Sequence, residues 1–163
     1  MKFLSRLIRR PTLLKLELTP HLGIGPILLG MTRPEITAEM RSYGLKITST
    51  AHGHLYFLEN SLMAEFQPDG TASFIRVAPH QDLELTFQGV NLFKTHADEV
   101  FKLFEAHEGE TATNVDQHEH VFPKQIVTLW DPDAQYDLNG ETIPVWGQIG
   151  IGNAQYMADC AAL

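Results

Sequence analysis

The chain has 163 residues, one cysteine and a formal net charge of −8. That length suits one domain of the usual ~100–200 residues and buries enough surface to fold without disulfide or metal staples. Its 44% hydrophobic and 20% charged residues exclude a disordered chain. The lack of an apolar run of roughly 18 residues excludes a transmembrane helix, and the lone Cys160 excludes a disulfide framework or a multi-cysteine zinc site.

Residues 1–16 carry Lys2, Arg6, Arg9, Arg10 and Lys15 and no acid. Phe3, Leu4, Leu7 and Ile8 mark one face of a short helix that Pro11 ends, so 1–11 is predicted as a basic amphipathic N-terminal helix. Arginines interrupt its apolar residues too often for a secretory signal. Packing on the domain is the expected role; weak contact of residues 1–10 with an anionic membrane surface is the other reading. Without an export signal or paired cysteines, a cytoplasmic location is expected.

Leu14, Leu16 and Leu18 alternate and predict a strand, followed by a short glycine-punctuated apolar strand over 23–30. Thr32 with Glu35 is a capping box, and Pro34 suits the first turn. Ile36, Met40 and Tyr43 then mark a helical face that Gly44 stops. Strands are predicted over 45–50, 54–59, 62–66 and 71–77. The run Gln67-Pro-Asp-Gly70 makes 62–77 a hairpin. Leu83, Leu85 and Phe87 alternate in another strand. Thr95 opens a second helix, with Asp98 at the box position and an apolar face of Ala97, Val100, Phe101 and Phe104; Gly109 ends it. Strands over 126–130 and 143–151 flank a polar turn region, 131–140, and the tail from Asn153 suits a short helix. The prediction is a single α+β domain over 1–163. Its largely antiparallel, curved sheet has about five to eight strands, with two main helices near 33–43 and 95–107 packed on it. The expected core is Ile27, Leu29, Ile36, Met40, Phe57, Phe66, Phe74, Ile75, Leu85, Phe87, Val100, Phe101, Phe104, Ile126, Leu129 and Trp130.

Charge is segregated. From Thr95 onward twelve acids face only Lys102 and Lys124. Such a field repels phosphate backbones, so no nucleic-acid partner is expected, and it attracts a basic protein. The expected contact surface draws on Glu105, Glu108, Glu110, Asp116, Glu119, Asp131, Asp133, Asp137 and Glu141, with Tyr136 and Trp146 as exposed aromatic anchors. Acidity for solubility alone, in a structural or housekeeping module, is the alternative.

No catalytic constellation is complete, so the expectation is a protein that is not an enzyme and binds no cofactor. The serines lack a G-x-S-x-G context, and Gly23, Gly25 and Gly30 lack phosphate-loop spacing. The competing metal reading uses His52, His54 and Glu59, or His118 and His120, because i and i+2 on a strand share a face. The first set is similar to part of the first metal motif of cupins, although Lys46 and Phe66 stand where that motif has glycines. Asp131, Asp133 and Asp137 match three positions of a calcium loop, but Tyr136 and Thr142 replace its glycine and glutamate.

The stretch Leu22–Ile36, with Leu29-Gly-Met-Thr-Arg-Pro-Glu-Ile36, resembles a helix start shared by small bacterial proteins. Similar starts occur in BamE-like and β-lactamase-inhibitor-like folds, and some of these small proteins resemble immunity partners of secreted toxins. The resemblance implies a cytosolic immunity protein that neutralises a bacterial toxin. Those inhibitor-like units are mostly lipoproteins or secreted, whereas this chain shows no lipobox cysteine.

Overall fold

The computed structural model describes residues 12–110, 113–114, 118–132, 134–138 and 141–163, with backbone alone for 113–114 and 134–138. The predicted basic helix 1–11 lies outside them. The first strand, β1 (Leu14–Thr19), buries Leu14, Leu16 and Leu18 on alternate positions. Strands β2 (Gly23–Ile24) and β3 (Ile27–Leu28) form a small hairpin, followed by helix α1 (Arg33–Ser42). The Thr32 N–H and hydroxyl both donate to Glu35 Oε2, at 2.8 and 2.9 Å. These bonds, the backbone one foremost, hold the Glu35 carboxyl below its ordinary pKa. Strands β4 (Leu55–Phe57), β5 (Leu62–Phe66), β6 (Ala72–Val77), β7 (Leu83–Phe87) and β8 (Val90–Asn91) precede helix α2 (Ala97–Glu108). Then come β9 (Thr113–Asn114), β10 (Glu119–Phe122), β11 (Val127–Trp130), β12 (Ala134–Leu138), β13 (Glu141–Val145), β14 (Gln148–Gly152) and helix α3 (Ala154–Ala161).

The architecture is α+β and mostly antiparallel. It divides into two open sheets, ordered β3-β2-β1-β7-β8 and β4-β5-β6-β14-β11-β10-β9, with β12–β13 as a separate ribbon. Among the described residues only β1–β7 pairs in parallel, with Leu16 opposite Leu85. One apolar core joins both sheets to α1 and α2. Among the described residues no helix is long and apolar enough to cross a membrane.

Several expectations need correction. Residues 45–50 are not a strand: beyond Gly44 (φ 77°) they only flank β4, through the Thr48 N–H on Tyr56 O (2.7 Å) and the Tyr56 N–H on Ser49 O (3.0 Å). The polar region 131–140 contains β12, paired with β13. The expected last strand is two strands, broken at Trp146–Gly147, where the Gly147 N–H turns back to Asp131 O (2.7 Å). Helix α2 is capped by His96, whose Nδ1 accepts from the Asp98 N–H (3.1 Å), while the Thr95 hydroxyl donates to Asn91 O (2.7 Å).

Most of the expected core is buried, with Leu29, Phe66 and Phe101 half-buried against it. Phe74 belongs instead to a smaller cluster with Tyr56 and Met63, on the opposite face of the large sheet, where Tyr156 of α3 stacks on it at 4.2 Å. Trp130 is not a core residue: it is 42% exposed. The pleat of β11 sends Val127 and Leu129 inward, so Trp130 turns outward.

Candidate partner-binding surface

The expected binding acids divide by position. On α2, Glu105 is half-buried; Asp98 and Glu99, which are not in the expected set, are exposed in the first turn. Glu99 pairs with Lys102 (3.3 Å), and exposed Glu110 pairs with Lys124. Lys102, Glu105 and Glu110 line one shallow surface. Glu141 is exposed, while Glu119 and Asp131 are half-buried.

Glu108 is a correction: it is 6% exposed. Its carboxylate accepts from the Lys124 N–H (2.7 Å), the Gln125 N–H (3.1 Å) and Gln125 Nε2 (2.8 Å). It closes the turn into β11 and presents no charge to a partner. Trp146 is the second correction. It is 4% exposed and donates its indole N–H to Ala97 O (2.9 Å), which ties β13 to the start of α2. Asp116 and Asp133 lie outside the described residues. Tyr136 and Asp137 fall on β12, whose backbone alone is described.

The exposed indole belongs to Trp130. In the sheet register Trp130 stands between Glu119 on β10 and Gln148 on β14. Directly paired residues of a sheet project from the same face. The backbone beyond it is held twice, by the Asp131 N–H on His118 O (2.8 Å) and the Gly147 N–H on Asp131 O. Asp131 takes a left-handed conformation (φ 48°), where the chain leaves the sheet for the ribbon. The sequence signal for Trp130 was the two-residue period of Val127 and Leu129, which a reading of 126–130 as uniformly buried overrides.

The histidine pairs do not assemble a metal centre. His52 lies in a 3-10 turn with φ 55°, not on a strand, so it shares no strand face with His54; the two rings are 6.4 Å apart. Glu59 is turned away by three successive left-handed residues, Leu58, Glu59 and Asn60, and sits 3.7 Å from His80. Burial, and secondarily Arg76, push His54 below its ordinary pKa, against an opposing pull from Glu65. On β10, His120 packs edge-on against Phe101 and Trp146, at 5.4 and 5.5 Å, and His118 precedes the strand. Among the described residues no group of three or more histidine, cysteine or acidic side chains is placed to hold a metal ion.

Four segments that the sequence keeps apart converge on a cleft of about 510 Å³, lined among others by Glu17, His21, Gln88, His107, Lys124 and Gln125. Gln88 Nε2 and His107 Nδ1 are 3.0 Å apart, and the His107 ring meets Phe87 edge-on. No serine or cysteine is among the described residues that line it. Cys160 lies away from this cleft, exposed on α3.

No family model matches the chain, and neither a curated protein nor a solved structure matches it.

Proposed function

We propose that the chain is a non-enzymatic acidic binding domain that captures a basic protein, a bacterial toxin against which it confers immunity. The observation that carries this reading is the acidity of the solvent side of α2 and of the strands beside it. Asp98 and Glu99 sit in the first turn of α2, where the helix dipole favours them. Glu105 lies in the last turn, where the dipole disfavours an acid by about 0.3–1 kcal/mol. Glu105 therefore adds negative charge at some cost to the fold, as a binding surface would. A field of this sign speeds encounter with a cationic protein and repels nucleic acid. The immunity role is supported by the resemblance of the 29–36 helix start to small bacterial proteins of that kind.

The test is co-expression with a toxin domain encoded by the neighbouring reading frame, together with stopped-flow association of the two purified proteins. Protection is expected. Because screening acts over ~10 Å at 0.1 M salt, association is expected to slow at least about tenfold between low salt and a few tenths molar. Reversing Glu105 and Glu110 to lysine slows it about as much at low salt. Absence of protection, together with no cationic protein recovered by pull-down, removes the proposal.

A further inference from the structure

We propose that the cleft at the C-terminal end of α2 binds an organic cation, an ammonium or guanidinium group carried on an aliphatic stem. The inference does not rest on the acidic-capture reading, because the groups it uses, Glu17, Glu108 and Gln125, are not part of that exposed surface. Leu18, Phe87, Glu108 and Gln125, all buried, line the inner part of the cleft, and Glu17, His21, Gln88 and His107, all exposed, form its rim. Two of the inner groups are incompletely matched. Glu108 accepts from the Lys124 and Gln125 backbone N–H groups and from Gln125 Nε2, and all three donors are neutral. Among the described residues no lysine, arginine or histidine pairs with it. Gln125 directs its Nε2 hydrogens to Phe104 O (2.9 Å) and Glu108 Oε2 (2.8 Å), which leaves Oε1 a buried acceptor with no partner among the described residues. A buried acceptor of this kind is rare in a native fold unless something else donates to it.

The surroundings select the charge. Glu17 adds a second carboxylate at the rim, and His107 lies in the last turn of α2, whose carbonyl end favours a cation. The lysine of the lining, Lys124, has its ammonium on Glu110, outside the cleft. Gln88 Nε2 stands 3.0 Å from His107 Nδ1, and an amide nitrogen only donates, so Nδ1 is the acceptor of an uncharged ring. Gln88 itself is held in a left-handed conformation (φ 49°), a strained state that persists where the surroundings fix it. An anion would meet two carboxylates, and a neutral molecule would leave both charges unmatched. Leu18 and Phe87 suit an aliphatic stem. Among the described residues no group of three or more metal-ligating side chains is present, so the cation that fits is organic rather than a metal ion.

The experiment uses the full chain and three probes: n-butylguanidinium as a free cation, n-butylurea as its neutral counterpart, and a capped Gly-Gly-Arg-Gly-Gly peptide as a side chain on a polypeptide. Binding is followed through the side-chain amide signals of Gln88 and Gln125 in ¹⁵N NMR. The Trp146 indole N–H signal, bonded to Ala97 O inside the core, is expected to stay in place and to report that each variant is folded. Butylguanidinium is expected to shift both amide signals saturably, and butylurea to leave them unmoved. Glu17→Gln is expected to weaken binding about threefold, the worth of an exposed ion pair, and Glu108→Gln about tenfold, as for a buried charge. Asp159→Asn, on the exposed side of α3, is expected to change nothing. A peptide that produces the same shifts assigns the site to a lysine or arginine side chain of a protein; shifts with butylguanidinium alone assign it to a free small cation. Unmoved amide signals, equal binding of butylurea, or full binding by both Glu17→Gln and Glu108→Gln overturns the proposal and leaves acidic capture as it stands.

Discussion

The Glu108 carboxylate ends α2 with three donors arranged around it, two of them backbone N–H groups of the turn into β11. Replacing it by alanine strands those donors in a buried place, and each unsatisfied donor costs about 1–3 kcal/mol. Glu108→Ala is expected to lower unfolding stability by about 2–4 kcal/mol. Glu108→Gln, which keeps one acceptor oxygen, is expected to cost less; urea denaturation measures both. A loss under 1 kcal/mol for the alanine variant would mean that water replaces the carboxylate and the turn stands without it. This acid also shows the limit of reading a charge run by count. The helical period of Val100, Phe101 and Phe104 carries on to Glu108 and not to Glu105, while Glu110 lies beyond the Gly109 stop; the 124–125 turn, set by long-range packing, supplies the donors that let the buried carboxylate stay there. The two tryptophans follow the same logic. Trp146 precedes Gly147 at a strand break and finds a buried acceptor on α2, whereas Trp130 falls on the outward phase of its strand. The first fact is not local, whereas the second lies in the two-residue period of Val127 and Leu129, so the exposed aromatic was expected at the wrong tryptophan.

Helix α3 is seated on the large sheet by the absence of side chains beneath it. A methyl group at Gly150 would overlap the Phe74 ring, and one at Gly152 would overlap Tyr156. The Phe74–Tyr156 stack, with rings 11° from parallel, fills that seat, and the Asn153 side chain caps the helix by accepting from the Tyr156 N–H (3.0 Å). Gly150→Ala is expected to destabilise the protein by about 1–3 kcal/mol through overpacking. It is also expected to release Tyr156, read as increased protease cleavage within 153–163. A neutral substitution would show that Phe74 has room to move. Elements settled by neighbours in sequence were legible: the Thr32–Glu35 box, and the 62–77 hairpin, whose turn closes through the Gln67 N–H on Thr71 O (3.0 Å) and the Thr71 N–H on Asp69 Oδ1 (2.9 Å). Elements settled by pairing were not. Leu45 and Ile47 alternate as a strand would, yet only one edge of β4 is offered to them. Residues 134–138 read as a turn, yet become a strand because 141–145 lies alongside.

Both sheets and both larger helices share one apolar core, in which Leu16 and Leu85 of the smaller sheet join Ile75, Ile149 and Leu129 of the larger, and Ile36 and Val100 come from α1 and α2. The chain crosses between the sheets more than once: β1 pairs with β7 in one, while β4 to β6, lying between them in sequence, belong to the other. Neither sheet can therefore be completed while the other is absent, and neither buries its inner face alone. Unfolding is accordingly expected to be one cooperative transition, as for most small single domains. Far-UV circular dichroism reports both sheets, whereas Trp146 fluorescence, read in a Trp130→Phe background, reports the α2 side of the core. Their urea transitions are expected to coincide, with a common slope of about 1–3 kcal/mol per molar. Leu85→Ala, in the smaller sheet, is expected to shift both midpoints together by the about 2–5 kcal/mol of a buried leucine truncation. If the variant moved only the circular dichroism transition and left the Trp146 transition in place, the two sheets would be separate folding units and the single-core account would fail. A coincident shift makes α2 and the strands of both sheets one cooperative unit, so that a core truncation in the smaller sheet weakens the seat of α2 as much as its own strands.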